Sequence, residues 1–275
     1  MDELGIFQQT LSTEIRLEGI GMHSGKSASI TLTPAPENTG LRFSRSDLNH
    51  IEIPVSPTSL VSAQRATHLQ CGTAKVETPE HLLSACWGLN ITNLIMTLDS
   101  EEVPILDGSA KGFVDAMLQA GITPQSTPIP TQTITEPMWF TEGQHHLLIL
   151  PSKTRQWTYC LDYPQAFIGQ QRVTLTHNPD TYITDVAPAR TYGFKHEVDA
   201  LRARGLALGG SLDNALVIDE NGYLNPPRFP DEMARHKLLD LIGDFACLGV
   251  HLKAHIIGIK SGHSLHMKAV QACAK

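Results

Sequence analysis

Apolar and polar positions alternate near the N-terminus. Leu11, Thr13, Ile15 and Leu17 fall on one side and Ser12, Glu14, Arg16 and Glu18 on the other, a period of two that predicts a half-buried strand. A Gly-rich turn follows. Ala28, Ile30 and Leu32 then alternate with Ser29, Thr31 and Thr33, so the two segments predict an antiparallel hairpin. Further on the period lengthens. Thr78-Pro79-Glu80-His81 predicts a helix start, with Thr78 as N-cap and Pro79 as first helical residue, and the helix ends near Gly88. Residues 91–98 read as a strand. Phe113, Ala116, Met117 and Ala120 mark one face of a helix closed by Gly121.

The second half closes in the same order. Residues 231–248 are a long helical stretch with Leu238, Leu241, Ile242 and Phe245 on one face. Residues 254–260 read as a strand, Ser261-Gly262-His263 as a loop, and residues 263–272 as a helix. Helix, strand, Gly-containing loop and helix thus occur twice, which predicts a degenerate internal duplication with His81 and His236 on corresponding helices. Between the halves, residues 123–130 (Thr-Pro-Gln-Ser-Thr-Pro-Ile-Pro) predict an extended linker. The expected fold is α+β: two similar domains, residues 1–125 and 131–275, each a sheet with helices on one face, with a site between them.

Composition narrows the function. Apolar residues make up 41% of the 275-residue chain, typical of a globular core, and no apolar run is long enough to span a membrane. The N-terminus lacks a basic stretch followed by an apolar one, so no secretory signal is expected and a cytoplasmic location is. Five cysteines, none in Cys-x-x-Cys spacing, read as buried free thiols and make a thiolate cluster improbable. A net charge of -7 argues against a nucleic-acid partner, yet local Lys and Arg residues can still hold a phosphate.

Three motifs fail on inspection. Gly19-Ile-Gly-Met-His-Ser-Gly-Lys-Ser27 resembles a phosphate-binding loop, but Ile20 stands where that loop requires Gly. His196-Glu197 begins a zincin-like pattern, but Ala200 stands where the second His belongs. His145 and His146 are adjacent in a strand and point to opposite faces.

One constellation carries chemistry. His236 and Asp240 are four apart on a helix and share a face; alone, a surface ion pair explains them better than a metal site does. Glu80-His81 alone says less, because acidic residues are common in a helix's first turn. Together, two His and one carboxylate form a common ligand set for catalytic zinc, with one position left open. The helix N-terminus favours the neutral, metal-binding form of His81. Zinc lowers the pKa of a bound water from 15.7 to about 7, and a neighbouring carboxylate such as Glu80 can take the proton. Lys237 sits beside the ligand and Asp244 one turn beyond Asp240. His263 opens a helix after a Gly loop, placed either to donate a proton or merely to cap the helix.

Taken in order, Thr78-Pro-Glu-His-Leu82, Leu106-Asp-Gly-Ser109, Ala189-Arg-Thr-Tyr-Gly-Phe194, Arg204-Gly-Leu-Ala-Leu-Gly-Gly-Ser211, Arg235-His-Lys-Leu-Leu-Asp-Leu-Ile-Gly-Asp244 and Lys260-Ser-Gly-His263 resemble the UDP-3-O-acyl-N-acetylglucosamine deacetylases of lipid A synthesis. The resemblance runs from Gly21-Met-His-Ser-Gly-Lys26 to the last helix. It implies a two-domain sandwich with one zinc ion held by His81, His236 and Asp240, and Glu80 as base. It further implies His263 as general acid oriented by Asp244, and Thr191 and Lys237 as oxyanion stabilisers. Lys260 would contact a diphosphate and Tyr163 would stack on uracil. An insert near residues 192–217 would form an apolar acyl passage lined by Phe194, Val198, Ala207, Ser211, Leu212 and Val217. Pro79, Tyr192 and Leu212 depart from the usual family residues.

The expected partner is a small-molecule substrate alone, and the chain is expected to act as a monomer. Mixed nitrogen and oxygen ligands accept several divalent ions, so ferrous iron is the alternative to zinc. Two other functions stand beside the deacetylase: a zinc amidohydrolase acting on another nucleotide sugar, which would need no acyl passage, and a non-catalytic zinc-binding descendant, which would need neither Glu80 nor His263.

Overall fold

A computed structural model describes residues 7–61 and 66–274. Among the described residues there are two five-strand sheet paths of identical topology and six α-helices. In the first half the strand order is Ile15–Ile20, Ser27–Pro34, Leu94–Leu98, Leu41–Arg45, Ile51–Pro54. In the second it is Met138–Glu142, His145–Pro151, His251–Ile259, Gln156–Asp162, Gln170–Thr176. The central strand of each sheet is antiparallel to the neighbour on one side and parallel to the neighbour on the other. This match of order and direction bears out the duplication read from the repeated helix, strand, loop and helix.

The helices are α1 (Glu80–Gly88), α2 (Lys111–Ala120), α3 (Pro179–Asp185), α4 (Lys195–Ala203), α5 (Glu232–Ala246) and α6 (His263–Cys273). The equivalent helices α1 and α5 pack along each other, and α5 also lies on α6 and on the strands Gln156–Asp162 and Gln170–Thr176. Helix α5 is therefore buried nearly all round, not on the single apolar face that its periodicity predicts. The polar side that looked like a surface face is turned into the protein. Close approach of the two helices depends on Gly243, where an added Cβ would lie 2.0 Å from the carbonyl oxygen of Glu80.

The predicted hairpin pairs Ile15 with Leu32 and Leu17 with Ile30. Leu11, however, ends a separate strand, Phe7–Leu11, which pairs antiparallel with Ile122–Pro128. The expected linker is thus extended but hydrogen-bonded over most of its length, and its prolines are tolerated in a two-stranded ribbon whose outer edge needs no donor. Helix α1 starts one residue later than predicted. Thr78 has φ of 56°, and its hydroxyl donates to Glu102 rather than capping the helix. All five cysteines are free, but Cys71 is exposed and Cys160 only half-buried.

Two smaller elements flank the helices. The strands Leu60–Val61, His68–Cys71 and Ala74–Glu77 form an antiparallel sheet leading into α1. In the second half, Tyr192–Phe194 and Leu216–Ile218 pair in parallel, with α4 and a loop between them, as the predicted insert. No described helix is long and apolar enough to cross a membrane.

Candidate active site

The packing of α1 on α5 brings His81 to His236 and Asp240. His81 Nε2 lies 3.6 Å and His236 Nε2 3.3 Å from Asp240 Oδ1, and all three side chains are buried. In a tetrahedral zinc site with bonds of about 2.0–2.1 Å, ligand atoms stand about 3.3–3.4 Å apart. The residues therefore fit a single ion. Asp240 Oδ1 has no hydrogen-bond partner among the described residues, which a buried carboxylate oxygen tolerates poorly without a cation. Its other oxygen accepts from Lys237 Nζ at 2.7 Å.

Electrostatics prepare the set. Burial drives His236 down to about 3, so its ring is neutral. Its Nδ1–H then donates to the Ala189 carbonyl at 3.1 Å, which turns the Nε2 lone pair towards Asp240 and His81. Burial alone would raise the Asp240 carboxyl, but the charged Lys237 beside it holds it well below the usual carboxylate range. Burial would likewise lower Lys237, yet Asp240 reverses this and keeps the ammonium charged.

Glu80 opens α1 one residue before His81. Burial pushes its carboxyl above the ordinary range, against the pull of His263 and His81. His263 opens α6 with its Nε2 3.9 Å from Glu80 Oε1. Its Nδ1–H donates to Asp244 Oδ2 at 2.8 Å, and that carboxylate overcomes burial and lifts His263 to about 9. Asp244 itself lies behind the cavity and is held low by His263 despite complete burial. The same oxygen accepts from His266 Nδ1 at 2.7 Å. Burial keeps His266 neutral, so its Nε2 accepts from the Ser261 hydroxyl at 2.8 Å.

Glu80, His81, His236, Asp240 and His263 line a cavity of ≈ 930 Å³ formed by both halves of the chain, with Asp244 and His266 behind it. Thr191 and Lys237 line the same cavity. Thr191 N–H donates to the Gly108 carbonyl at 2.7 Å, and Gly108 (φ 80°) packs so closely on the Asn214 carbonyl that a Cβ there would lie 1.7 Å away. The Leu106-Asp-Gly-Ser motif of the first half thus positions a residue of the second. Val198, Ala207, Ser211, Leu212 and Val217 line the cavity beyond, as expected of the insert. Phe194 does not; it is buried with its ring 5.3 Å from that of Tyr163, which itself faces the cavity. Lys260 also lines the cavity and pairs with Asp162 Oδ2 at 3.2 Å.

Among the described residues the discarded motifs add nothing to the ligand set, although His145 and Glu197 line the same cavity. The loop resembling a phosphate-binding turn does cradle an anion, the buried carboxylate of Glu102, which accepts from the N–H groups of His23 and Ser24 at 2.7 and 2.8 Å. Leu208 and Gly209 of the insert donate to the His23 and Met22 carbonyls of that loop, closing the cavity across the two halves. His196 is exposed, and His145 and His146 bond separately to the Lys260 carbonyl and the Thr141 hydroxyl.

Sequence reasoning missed His266, Thr67 and the pair Arg190–Glu232. His266 is three residues after His263 on one helix, a spacing that could have flagged it. Arg190 lies within a quoted motif, and its guanidinium and backbone N–H bond the fully buried Glu232. Thr67 had no local signal at all.

Residues 8–275 match the family model for UDP-3-O-acyl N-acetylglycosamine deacetylase. The chain is 43% identical to the UDP-3-O-acyl-N-acetylglucosamine deacetylase of Leptospira biflexa serovar Patoc, over 94% of this chain and 87% of that protein. It is 42% identical to the protein of the same name from Thermosynechococcus vestitus, over 98% and 94% respectively. The protein of that name from Bdellovibrio bacteriovorus is 42% identical over 96% of this chain and 88% of its own length. With nearly its whole length matched, the chain belongs to the UDP-3-O-acyl N-acetylglycosamine deacetylase family.

Proposed function

We propose that this protein hydrolyses the N-acetyl amide of UDP-3-O-acyl-N-acetylglucosamine, releasing acetate and a free amine in lipid A synthesis. His81, His236 and Asp240 hold one zinc ion in this reading. The observation that carries it is the meeting of that ligand set, Glu80 and His263 in one cavity that the apolar Val198, Ala207, Leu212 and Val217 also line. A zinc-binding descendant without activity needs neither Glu80 nor His263 there, and an amidohydrolase for a sugar lacking the acyl chain needs no apolar extension.

When bound, the ion supplies Lewis acidity at the amide carbonyl and at the attacking water. Glu80 takes a proton from that water as its oxygen attacks the carbonyl carbon. Thr191 and Lys237 donate to the oxygen on which negative charge develops. His263, protonated and aligned by Asp244, gives a proton to the departing nitrogen as the carbon–nitrogen bond breaks. Val198, Ala207, Ser211, Leu212 and Val217 take up the ester-linked acyl chain, while Lys260 and Tyr163 meet the diphosphate and the uracil. The domain boundary falls at residues 126–130, and the enzyme acts in the cytoplasm, where free thiols persist.

The test is mass spectrometry of UDP-3-O-acyl-N-acetylglucosamine incubated with purified, zinc-loaded protein. Loss of one acetyl group with the ester intact is expected. An unchanged substrate, or loss of the ester-linked chain instead, overturns the proposal.

A further inference from the structure

We propose that Thr67 is a positioning residue that sets both proton-transfer groups from a single point. It lies just before the strand His68–Cys71, is fully buried, and engages each of its polar functions. Its N–H donates to Glu80 Oε2 at 3.2 Å. Its carbonyl accepts from the N–H of Thr78, two residues before Glu80, at 3.1 Å. Its hydroxyl donates to Asp244 Oδ1, across 177 positions of sequence, and stands 3.3 Å from His263 Nδ1. One side chain of the first half thereby reaches the helix of the second half that orients the proposed acid.

The hydroxyl matters because of how Asp244 is loaded. Oδ2 serves two imidazoles at once, His263 at 2.8 Å and His266 at 2.7 Å. Both contacts are good only at one rotation of the carboxylate plane. The Thr67 hydroxyl on Oδ1 fixes that rotation. Without it Oδ1 loses its bond in a fully buried site, and the carboxylate turns to recover a partner at the expense of His263. The hydroxyl has one proton and spends it on Asp244, so it leaves the His263 Nδ1–H directed at Oδ2.

This inference rests on reading Glu80 and His263 as base and acid. The experiment compares Thr67→Ser, Thr67→Ala and Thr67→Val in the full-length, zinc-loaded enzyme. Ser and Ala both lack the methyl group and differ only in the hydroxyl. Ser should stay within about 3-fold of wild type. Ala and Val should lose roughly 10- to 100-fold in kcat, the range for a hydrogen bond to a charged group, with KM and bound zinc unchanged. Ala combined with Asp244→Asn should lose less than the product of the two single effects. In metal-free protein, the His263 Nδ1–H resonance should persist in wild type and Ser and exchange away in Ala. Equal loss in Ser and Ala, a loss confined to KM or zinc content, or full additivity with Asp244→Asn overturns the proposal. Glu80→Ala and His263→Ala are the controls. Full turnover in those two removes the site reading and Thr67 with it; collapse in both beside normal turnover in Thr67→Ala removes Thr67 alone.

Discussion

Glu80 Oε1 and His263 Nε2 face each other across 3.9 Å, although one opens the first helix and the other the last. In the proposed mechanism this base and this acid serve one proton-transfer sequence. Glu80→Ala should keep its zinc yet lose roughly 100-fold or more in turnover, and His263→Ala should do the same. The double variant should lose less than the product of the single losses. Zinc content and kcat measured on all three proteins decide the matter; wild-type turnover in Glu80→Ala would remove the base.

The ligand set predicts metal content. About one zinc per chain should survive purification, and His81→Ala, His236→Ala and Asp240→Ala should each weaken it severely. Elemental analysis showing full zinc in all three variants would refute the assignment. Removal of zinc with a chelator should abolish turnover, and readdition should restore it.

The pH profile follows from the two shifted groups. His263 must be protonated to act, and Asp244 lifts it to about 9, so activity should fall as pH rises through that region. Glu80 must be ionised to act, and burial raises its pKa, so the rate should climb with pH through a range above that of an exposed carboxylate. The result is a bell in kcat/KM. His263→Ala should flatten the alkaline limb; an unchanged limb would assign it to another group.

Acyl selectivity should reside in the insert. Each buried methylene is worth about 0.8 kcal/mol on transfer from water, part of which is offset by ordering the chain. UDP-N-acetylglucosamine, which lacks the chain, should therefore be worse by roughly 100-fold or more in kcat/KM. A Trp at Val198 blocks the passage with less backbone strain than one at Ala207, because Val198 is helical whereas Ala207 has φ of 54°, which disfavours a bulky residue. Val198→Trp should hurt the acylated substrate and spare the poor one. Equal rates on both substrates in the unmodified enzyme would favour a general nucleotide-sugar amidohydrolase.

Gly243→Ala tests the approach of α1 to α5. A Cβ 2.0 Å from the Glu80 carbonyl must push the helices apart, at a cost of about 1–3 kcal/mol in stability. Because Glu80 and His81 move with α1, zinc affinity should fall too. Thermal unfolding and zinc titration report the two effects, and a variant as stable and as tight as wild type would show that the contact relaxes freely.

Spacing along the chain determined a good part of this protein. The four-residue step from His236 to Asp240 put both on one side of α5, and the repeated helix, strand, loop and helix announced the duplication that the two matched sheets display. Such features are legible because helix and strand periods are properties of the local backbone. The tertiary structure alone decided the rest. The sequence grouped His81 with His236 and Asp240, but only the packing of α1 on α5 brings both imidazoles within 3.6 Å of one Asp240 oxygen and turns the polar side of α5 inward. Only there does Thr67 meet Asp244, does Glu102 take the Thr78 hydroxyl meant for a helix cap, and does Phe194 sit against Tyr163 instead of the cavity. Each of those contacts joins groups far apart in sequence. Burial and close packing select them from the whole fold, and no residue spacing records the choice.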